Sequence, residues 1–490
     1  MPTLLDLAES LRRGCSPTGV PALLTQLGFR SPEVPDVRTR RALGLPDDVT
    51  DVRIARGSGT LRAIWIASSP EHPPRELLTR IARGMSARAP HFLWLLVASW
   101  PDRAELAIAS WSSALTPSVV ALLVARDRVT ESDAESFGAL MAASAGDDLV
   151  VHARWREILG REALSRRFYR ALERAVLRLA EGADGSAPAD ARRELALLTT
   201  SRLLFLAFLE SRGWLDGDRG FLSRTIDGRL REGGGIQRHV LAPLFFGTLN
   251  TRVSRRATAA RAFGRIPFLN GGLFQRTPLE SRWRSLRFAD DDLAALGDDV
   301  LFRYRFTPRE DDGRWSELAI DPEMLGRAFE SLMASTERRA SGTFYTPQAL
   351  VERVTEAAFR DALDHRGIDT DVIDAALRGA PLDRPTAHTL ATSVRDLRIL
   401  DPACGSGAFL VHALERLSGL ARLAGDTRPE TERRRALVAR SIFGVDVHPT
   451  AVWLCELRLW LAVVLDCEVN DPMAVPPLPN LDHNVRVGDA

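Results

Sequence analysis

Residues 398–411 read Arg-Ile-Leu-Asp-Pro-Ala-Cys-Gly-Ser-Gly-Ala-Phe-Leu-Val, and no other stretch constrains the fold as tightly. A short apolar run ends at Asp401, two glycines follow, and a second apolar run begins at Ala408. Strand, acid, glycine turn and helix in that order make the nucleotide-binding first turn of an open α/β sheet. Gly405 and Gly407 permit the tight turn and let backbone N–H groups approach a ligand closely. Asp401, at the strand end, is placed to accept a hydrogen bond from a ligand ammonium or to order the turn. A bare Gly-x-Gly is equally at home in a turn that binds nothing.

A chain of 490 residues has room for two to four domains, each with its own core. The net charge of +1 gives no global electrostatic footprint for nucleic acid. All 65 basic residues are Arg, so chemistry that needs a lysine amine is closed to this chain. Cys15, Cys404, Cys455 and Cys467 have neither CxxC nor zinc-type spacing and read as free thiols of a reducing compartment. The first residues lack the basic and apolar regions of a signal peptide, and no run of about 18 apolar residues occurs. A cytoplasmic protein with no membrane contact is expected.

Three segments are expected, all within an α/β class. Residues 1–150 read as a small α/β domain, with strands near 61–68, 91–99 and 104–110 and a helix opening at Pro74. Residues 151–340 read as mostly helical. Within them 181–190 is a turn-rich, flexible linker, Asp190 is positioned to cap the next helix, and the run from Leu195 to Leu209 is apolar all round and therefore buried. Residues 341–490 read as an incomplete Rossmann-like domain. Its pattern is strand 397–400, helix 408–424, an Arg-rich helix 429–440, strand 442–447 and helix 449–465, after a loop-like stretch at 380–396.

Three further segments belong with the glycine turn. Ile442-Phe-Gly-Val-Asp446 is a strand with an acid at its carboxyl end, where a carboxylate holds ribose hydroxyls. Its distance from Asp401 exceeds the usual gap of about 20 residues, and the Arg-rich helix accounts for the excess. His448, two residues on, reads as an exposed loop residue rather than a base. Asn484-Val-Arg-Val-Gly-Asp489 is a short strand followed by Gly-Asp. Ser341-Gly-Thr-Phe-Tyr-Thr-Pro347 precedes them all, as a turn before a helix.

Taken together, Asp-Pro-Ala-Cys-Gly-Ser-Gly-Ala-Phe-Leu, the acid-ended strand, Gly-Asp and Gly-Thr-Phe-Tyr-Thr-Pro resemble the motifs of adenine-N6 DNA methyltransferases, in that family's order. The resemblance implies S-adenosyl-L-methionine (SAM) as cofactor. It places Thr343, Tyr345, Thr346 and Pro347 over the methionine end, Asp401, Ala403, Gly405, Gly407 and Phe409 in the cofactor turn, Asp446 at the ribose and Asp489 at the adenine. Arg202 to Leu215 and Ile266 to Phe274 resemble a subgroup, the Eco57I-like type IIG enzymes of restriction-modification and phage defence. Double-stranded DNA is then the implied partner.

Catalysis in that family needs an Asn/Asp-Pro-Pro-Tyr segment that accepts hydrogen bonds from the flipped adenine and stacks on it. Neither Asp471-Pro472-Met473 nor Pro476-Pro477-Leu478 supplies it, so no catalytic residue is assigned within these 490. A continuation or a second polypeptide is expected to bring that segment together with target recognition. Many relatives also carry an N-terminal nuclease with an Asp…Glu-x-Lys metal site, which a chain without lysine cannot form. No metal site and no nuclease activity are expected, and residues 1–150 read either as a degenerate form of that domain or as a module that contacts DNA or protein. A non-catalytic SAM-binding scaffold is the alternative reading, and methylation of RNA or protein by the same fold is a third.

Overall fold

The structure is a computed structural model that describes residues 2–49, 51–112, 116–269, 272–307, 315–337, 348–464, 469 and 471–489. The fold is mixed α/β, in two units. The first comprises residues 1–171 and 302–320, the second 172–301 and 321–490.

The first unit is built on a six-stranded sheet in the order β1-β2-β3-β4-β5-β6. Its strands are β1 (Asp51–Arg56), β2 (Leu61–Ala67), β3 (Leu93–Trp100), β4 (Glu105–Trp111), β5 (Val119–Ala125) and β6 (Trp315–Glu317). Pairing is antiparallel except at β2–β3 and β5–β6. The parallel β2–β3 pair needs a crossover, which the Pro74–Arg88 helix provides. Every residue of β3 is buried, as a central strand covered on both faces should be. Leu77, Leu78, Ile81 and Met85 of the crossover pack with Leu96, Ala98 and Trp100 in one core. The returning segment that carries β6 is tied down by Arg305, whose guanidinium donates to the buried Asp133 carboxylate at 2.7 Å.

The expected strands near 61–68, 91–99 and 104–110 are β2, β3 and β4, and the last two are neighbours. β1, β5 and β6 were not foreseen. β1 is short, with Arg at both Arg53 and Arg56, and β6 is only three residues long, so neither carries an extended alternation.

In the second unit, Ala189–Ser211 forms a helix buried around most of its circumference, as its composition predicts. Gly213 closes it at φ +73°. Asp190 does not cap it. The helix begins one residue earlier, with Pro188 at the cap, and Asp190 lies in the first turn. The preceding linker is not free either. Asp184 and Arg287 exchange backbone hydrogen bonds of 2.7 and 3.0 Å. The stretch at 380–396 contains a helix, Arg384–Arg395, capped by Asp383. Thr386, Thr389 and Thr392 make it polar enough to hide its helical period.

Arg202 is the electrostatic centre of the helical part. It is 1% exposed, and it donates to Leu273 O at 2.7 Å, to Gln275 O at 2.8 Å and to both Glu280 oxygens at 2.6 and 3.2 Å. It thereby joins the 202–215 and 266–274 segments, which the sequence marked separately. Among the described residues no helix is long and apolar enough to cross a membrane.

Truncating Arg202 strands a buried carboxylate and two carbonyls. Arg202→Met is expected to lower unfolding free energy by about 3–5 kcal/mol in urea titration, and a cost under ~1 kcal/mol would mean the network is slack.

Candidate functional site

The second unit contains a three-stranded parallel sheet in the order β7-β8-β9, from β7 (Ile399–Asp401), β8 (Ile442–Asp446) and β9 (Val485–Val487). The register pairs Asp401 with Gly444 and Asp446 with Val487. All three strands run the same way, so Asp401, Asp446 and, two residues past β9, Asp489 gather at one edge of the sheet. That carboxyl edge is where open α/β sheets bind ligands.

The turn after β7 is held from beneath by the backbone and by Asp446. Cys404 N–H donates to Val445 O at 2.9 Å and Gly407 N–H to Cys404 O at 2.8 Å. Gly405 N–H donates to Asp446 Oδ2 at 2.9 Å, and His448 N–H donates to Oδ1 at 2.9 Å. The acid of the second strand thus braces the glycine turn of the first. A carboxylate has about four acceptor positions, so Asp446 keeps capacity for a ligand's hydroxyls.

The two glycines do different jobs. Both have left-handed φ, +51° at Gly405 and +86° at Gly407. A Cβ on Gly405 would meet nothing within 4 Å, so that position faces open space above the turn. A Cβ on Gly407 would lie 2.7 Å from Cys455 Sγ and 3.2 Å from Cys455 Cα. Gly407 caps the Ala408–Leu423 helix, and its bareness lets that helix close on the Pro449–Val464 helix.

Asp401 is half-buried. Its Oδ1 accepts from Ala403 N–H at 3.1 Å, which orders the turn. Its Oδ2 is buried with no partner among the described residues. Burial, together with the nearby Asp446 carboxylate, raises its pKa, while the Ala403 N–H opposes the shift. An orphaned carboxylate oxygen of this kind is a docking point for a cationic group. Phe409 and Asp401 also line a largely apolar cavity of about 430 Å³, walled by Phe359 and Leu400. That cavity takes in neither glycine and neither of the other two acids. Asp489 is exposed. Thr343, Tyr345, Thr346 and Pro347 lie outside the described residues.

Three residues of the site had no role assigned from sequence, although Asn484 opens the Gly-Asp segment. Arg458, on the Pro449–Val464 helix, is 5% exposed and donates to Ser406 O at 3.3 Å and Ser406 Oγ at 3.1 Å, pinning the turn from behind. Asn484 Nδ2 donates to Val438 O, Ala439 O and Ile442 O, which closes the Glu430–Ser441 helix onto the start of β8. Cys455 fills the space beside Gly407. Its hydrogen bond with Cys404 and its burial hold its thiol well above the ordinary range. An Arg and a Glu in an otherwise apolar helix were the available signal for these supporting residues. That Glu is Glu456, which burial and, secondarily, Asp482 push up to about 8. Among the described residues no group of three or more His, Cys, Asp or Glu is placed to hold a metal ion.

Comparison with known proteins agrees with the motif reading. Residues 320–470 match the model of the N-6 DNA Methylase family. A protein of Methanocaldococcus jannaschii, named as a candidate type II restriction enzyme and methyltransferase, is 30% identical over 329 residues. That alignment takes in 61% of this chain and 27% of the relative. The adenine-specific methyltransferase PglX of Streptomyces coelicolor is 37% identical over 71 residues, 14% of this chain and 6% of its own. The chain therefore spans about a quarter or less of the length of these relatives. Among solved structures, the type IIL restriction-modification enzyme MmeI bound to DNA aligns with 62% of this chain and 36% of its own, at 21% identity and a TM-score of 0.42. The family match and the Methanocaldococcus jannaschii relative bear out the resemblance to adenine-N6 DNA methyltransferases of restriction-modification systems.

Gly407→Ala should cost about 2–4 kcal/mol, from the left-handed φ and the clash with Cys455. Gly405→Ala should cost only about 1–2 kcal/mol, from φ alone. Equal costs in denaturant titration would contradict the close approach. Glu456 provides a pH test. Its folded pKa of about 8 lies above the unfolded value, so the protonated form is favoured by folding. That stability is complete below about pH 4.3 and is lost as pH rises towards 8, at up to about 1.4 kcal/mol per pH unit. Glu456→Gln should flatten the stability–pH curve over that window, and an unchanged slope would place the titration elsewhere.

Proposed function

We propose that this chain is the cofactor-binding part of a site-specific DNA methyltransferase that modifies adenine N6 in a restriction-modification or phage-defence system. The observation that carries the reading is the partnerless Asp401 Oδ2 beside a bare glycine turn braced by Asp446. These groups fit SAM, a cationic nucleoside. Its ammonium would satisfy Asp401, its ribose hydroxyls would donate to Asp446, and its bulk would fill the space that a Cβ on Gly405 would occupy. The adenine would then reach Asp489, with Thr343, Tyr345, Thr346, Pro347 and Phe409 packing around the methionine end and Ala403 holding the turn.

SAM supplies a methyl group on a sulfonium, a strong electrophile. What the protein must add is alignment and charge placement, since the adenine amine is a weak nucleophile. Asp401 and Asp446 fix the cofactor's two ends, and Arg458 keeps the turn between them from moving. The group that grips the flipped adenine is proposed to come from sequence outside these 490 residues, in a continuation or a second polypeptide. The short spans shared with longer relatives support that view. Double-stranded DNA is the proposed substrate and the cytoplasm the proposed location. In this reading residues 1–150 form a small α/β domain of degenerate nuclease-like type that recruits β6 from 302–320, the rest of 151–340 is helical, and 341–490 is the cofactor domain.

Calorimetric titration with SAM tests the assignment. Asp401→Ala should abolish measurable binding, and Asp446→Ala should weaken it by roughly 1–3 kcal/mol. Wild-type affinity in both variants would remove the pocket from this turn.

A further inference from the structure

The helical part of the second unit contains a second cavity, of about 390 Å³, that shares no residue with the glycine-turn site. We propose that it binds one nucleotide, with the phosphate held by Arg238, Arg276 and Arg284 and the base laid against Phe246 and Trp283. The volume lies in the range of small-ligand sites.

Charge is the first argument. The lining carries five arginines against one carboxylate, Glu280. The chain as a whole has a net charge of only +1, so this is a local concentration of positive charge. Glu280 is fully engaged, with both oxygens on Arg202 and one also accepting from Thr277 N–H. Arg202 itself is engaged by both Glu280 oxygens, Leu273 O and Gln275 O. Arg287 donates to Arg284 O and Leu286 O. Arg238, Arg276 and Arg284 are exposed and make no ion pair among the described residues. Three guanidiniums converging on a cavity without counter-charge favour an anion, and their planar forks match phosphate oxygens.

The aromatic lining is the second argument. Phe246 and Trp283 are only half-buried, so their rings are not absorbed by the core. Both rings already receive planar cations, Phe246 from Arg276 at 4.3 Å and Arg202 at 5.4 Å, and Trp283 from Arg282 at 5.4 Å. An entering base would displace the exposed Arg276 from Phe246, which frees its guanidinium for the phosphate. A nucleobase stacks on such faces whatever its identity. The third argument is the backbone. The wall from Gln237 to Leu249 is wound as two π-helical turns that flank Ala242, a wide and costly geometry that recurs at functional sites. Gln237 locks this wall to the opposite one, donating to Leu286 O at 3.4 Å and accepting from Phe288 N–H at 2.9 Å. The cavity is therefore held open by built contacts. The nucleotide is either free or one unit of a nucleic-acid strand, and the shared chemistry of phosphate plus base is what the cavity reads.

The test uses the full 490-residue chain with two probes, dAMP and a fluorescein-labelled single-stranded 12-mer of deoxyadenosine. Binding is followed by tryptophan quenching for dAMP and by anisotropy for the 12-mer. One or both probes should bind, and the double variant Arg238→Glu/Arg284→Glu should weaken that binding at least tenfold while SAM affinity and thermal midpoint stay unchanged. Trp283→Phe should remove the quenching. If dAMP binds and is lost in the variant, the site takes a free nucleotide. If only the 12-mer responds, it takes a strand. Should the charge-reversed protein melt early, Arg276→Gln/Arg284→Gln gives the same reading without reversed charge. Failure of both probes to bind, or binding that survives these variants unchanged, overturns the proposal. Because SAM titration runs in parallel, failure here leaves the glycine-turn assignment standing, and failure there leaves this one.

Discussion

Two helices approach each other closely at one atom-sized gap, and the cofactor edge depends on it. The missing Cβ of Gly407 leaves room for Cys455, so the helix after β7 and the helix after β8 pack tightly behind the turn. From that packing follow the reach of Arg458 to Ser406 and the position of Asp446 under Gly405. The turn is therefore rigid from three sides: a carboxylate below, a guanidinium behind and a thiol beside. Its open side is the fourth, where Gly405 meets nothing and Asp401 keeps an unsatisfied oxygen. Pre-organisation of this kind lowers the ordering cost that a ligand must overcome.

The part of this arrangement legible in the sequence was the part with fixed spacing. Strand, acid, glycine turn and helix are contiguous, so Asp401, Gly405 and Gly407 and the helix from 408 could be placed by number alone. Asp446 could be placed as well, because a strand end announces itself. Arg458, Asn484 and Cys455 could not, since each acts across 40 residues or more on a backbone atom or a gap. Polar stretches were also read as a flexible linker and a loop. The linker at 181–190 is pinned by Asp184 to Arg287, and the stretch at 384–395 is a helix whose threonines conceal its period. Backbone pairing and caps leave little trace in hydropathy.

Arginine does the work of both basic residues in this chain, and its geometry shows in the helical part. A buried lysine would offer a single point charge at position 202, whereas the guanidinium there meets two carbonyls and a carboxylate at once. The same planarity lets Arg276 lie flat on Phe246. Aromatic and basic side chains can then share one wall without either being buried wastefully. An all-arginine composition is thus more than a compositional bias in this fold, because it sets what kinds of cation site the chain can build.

The six-stranded sheet has a consequence for biosynthesis. β6 begins 190 residues after β5 ends. At a translation rate of about 5–20 residues per second, roughly 10–40 seconds separate the two strands at the ribosome exit. During that interval the hydrogen-bonding edge of β5, an apolar strand, has no partner from its own sheet. The intervening helical residues emerge first, and their own folding decides how near β6 is delivered. The first unit is in this sense a host whose sheet is complete only after its guest has been synthesised.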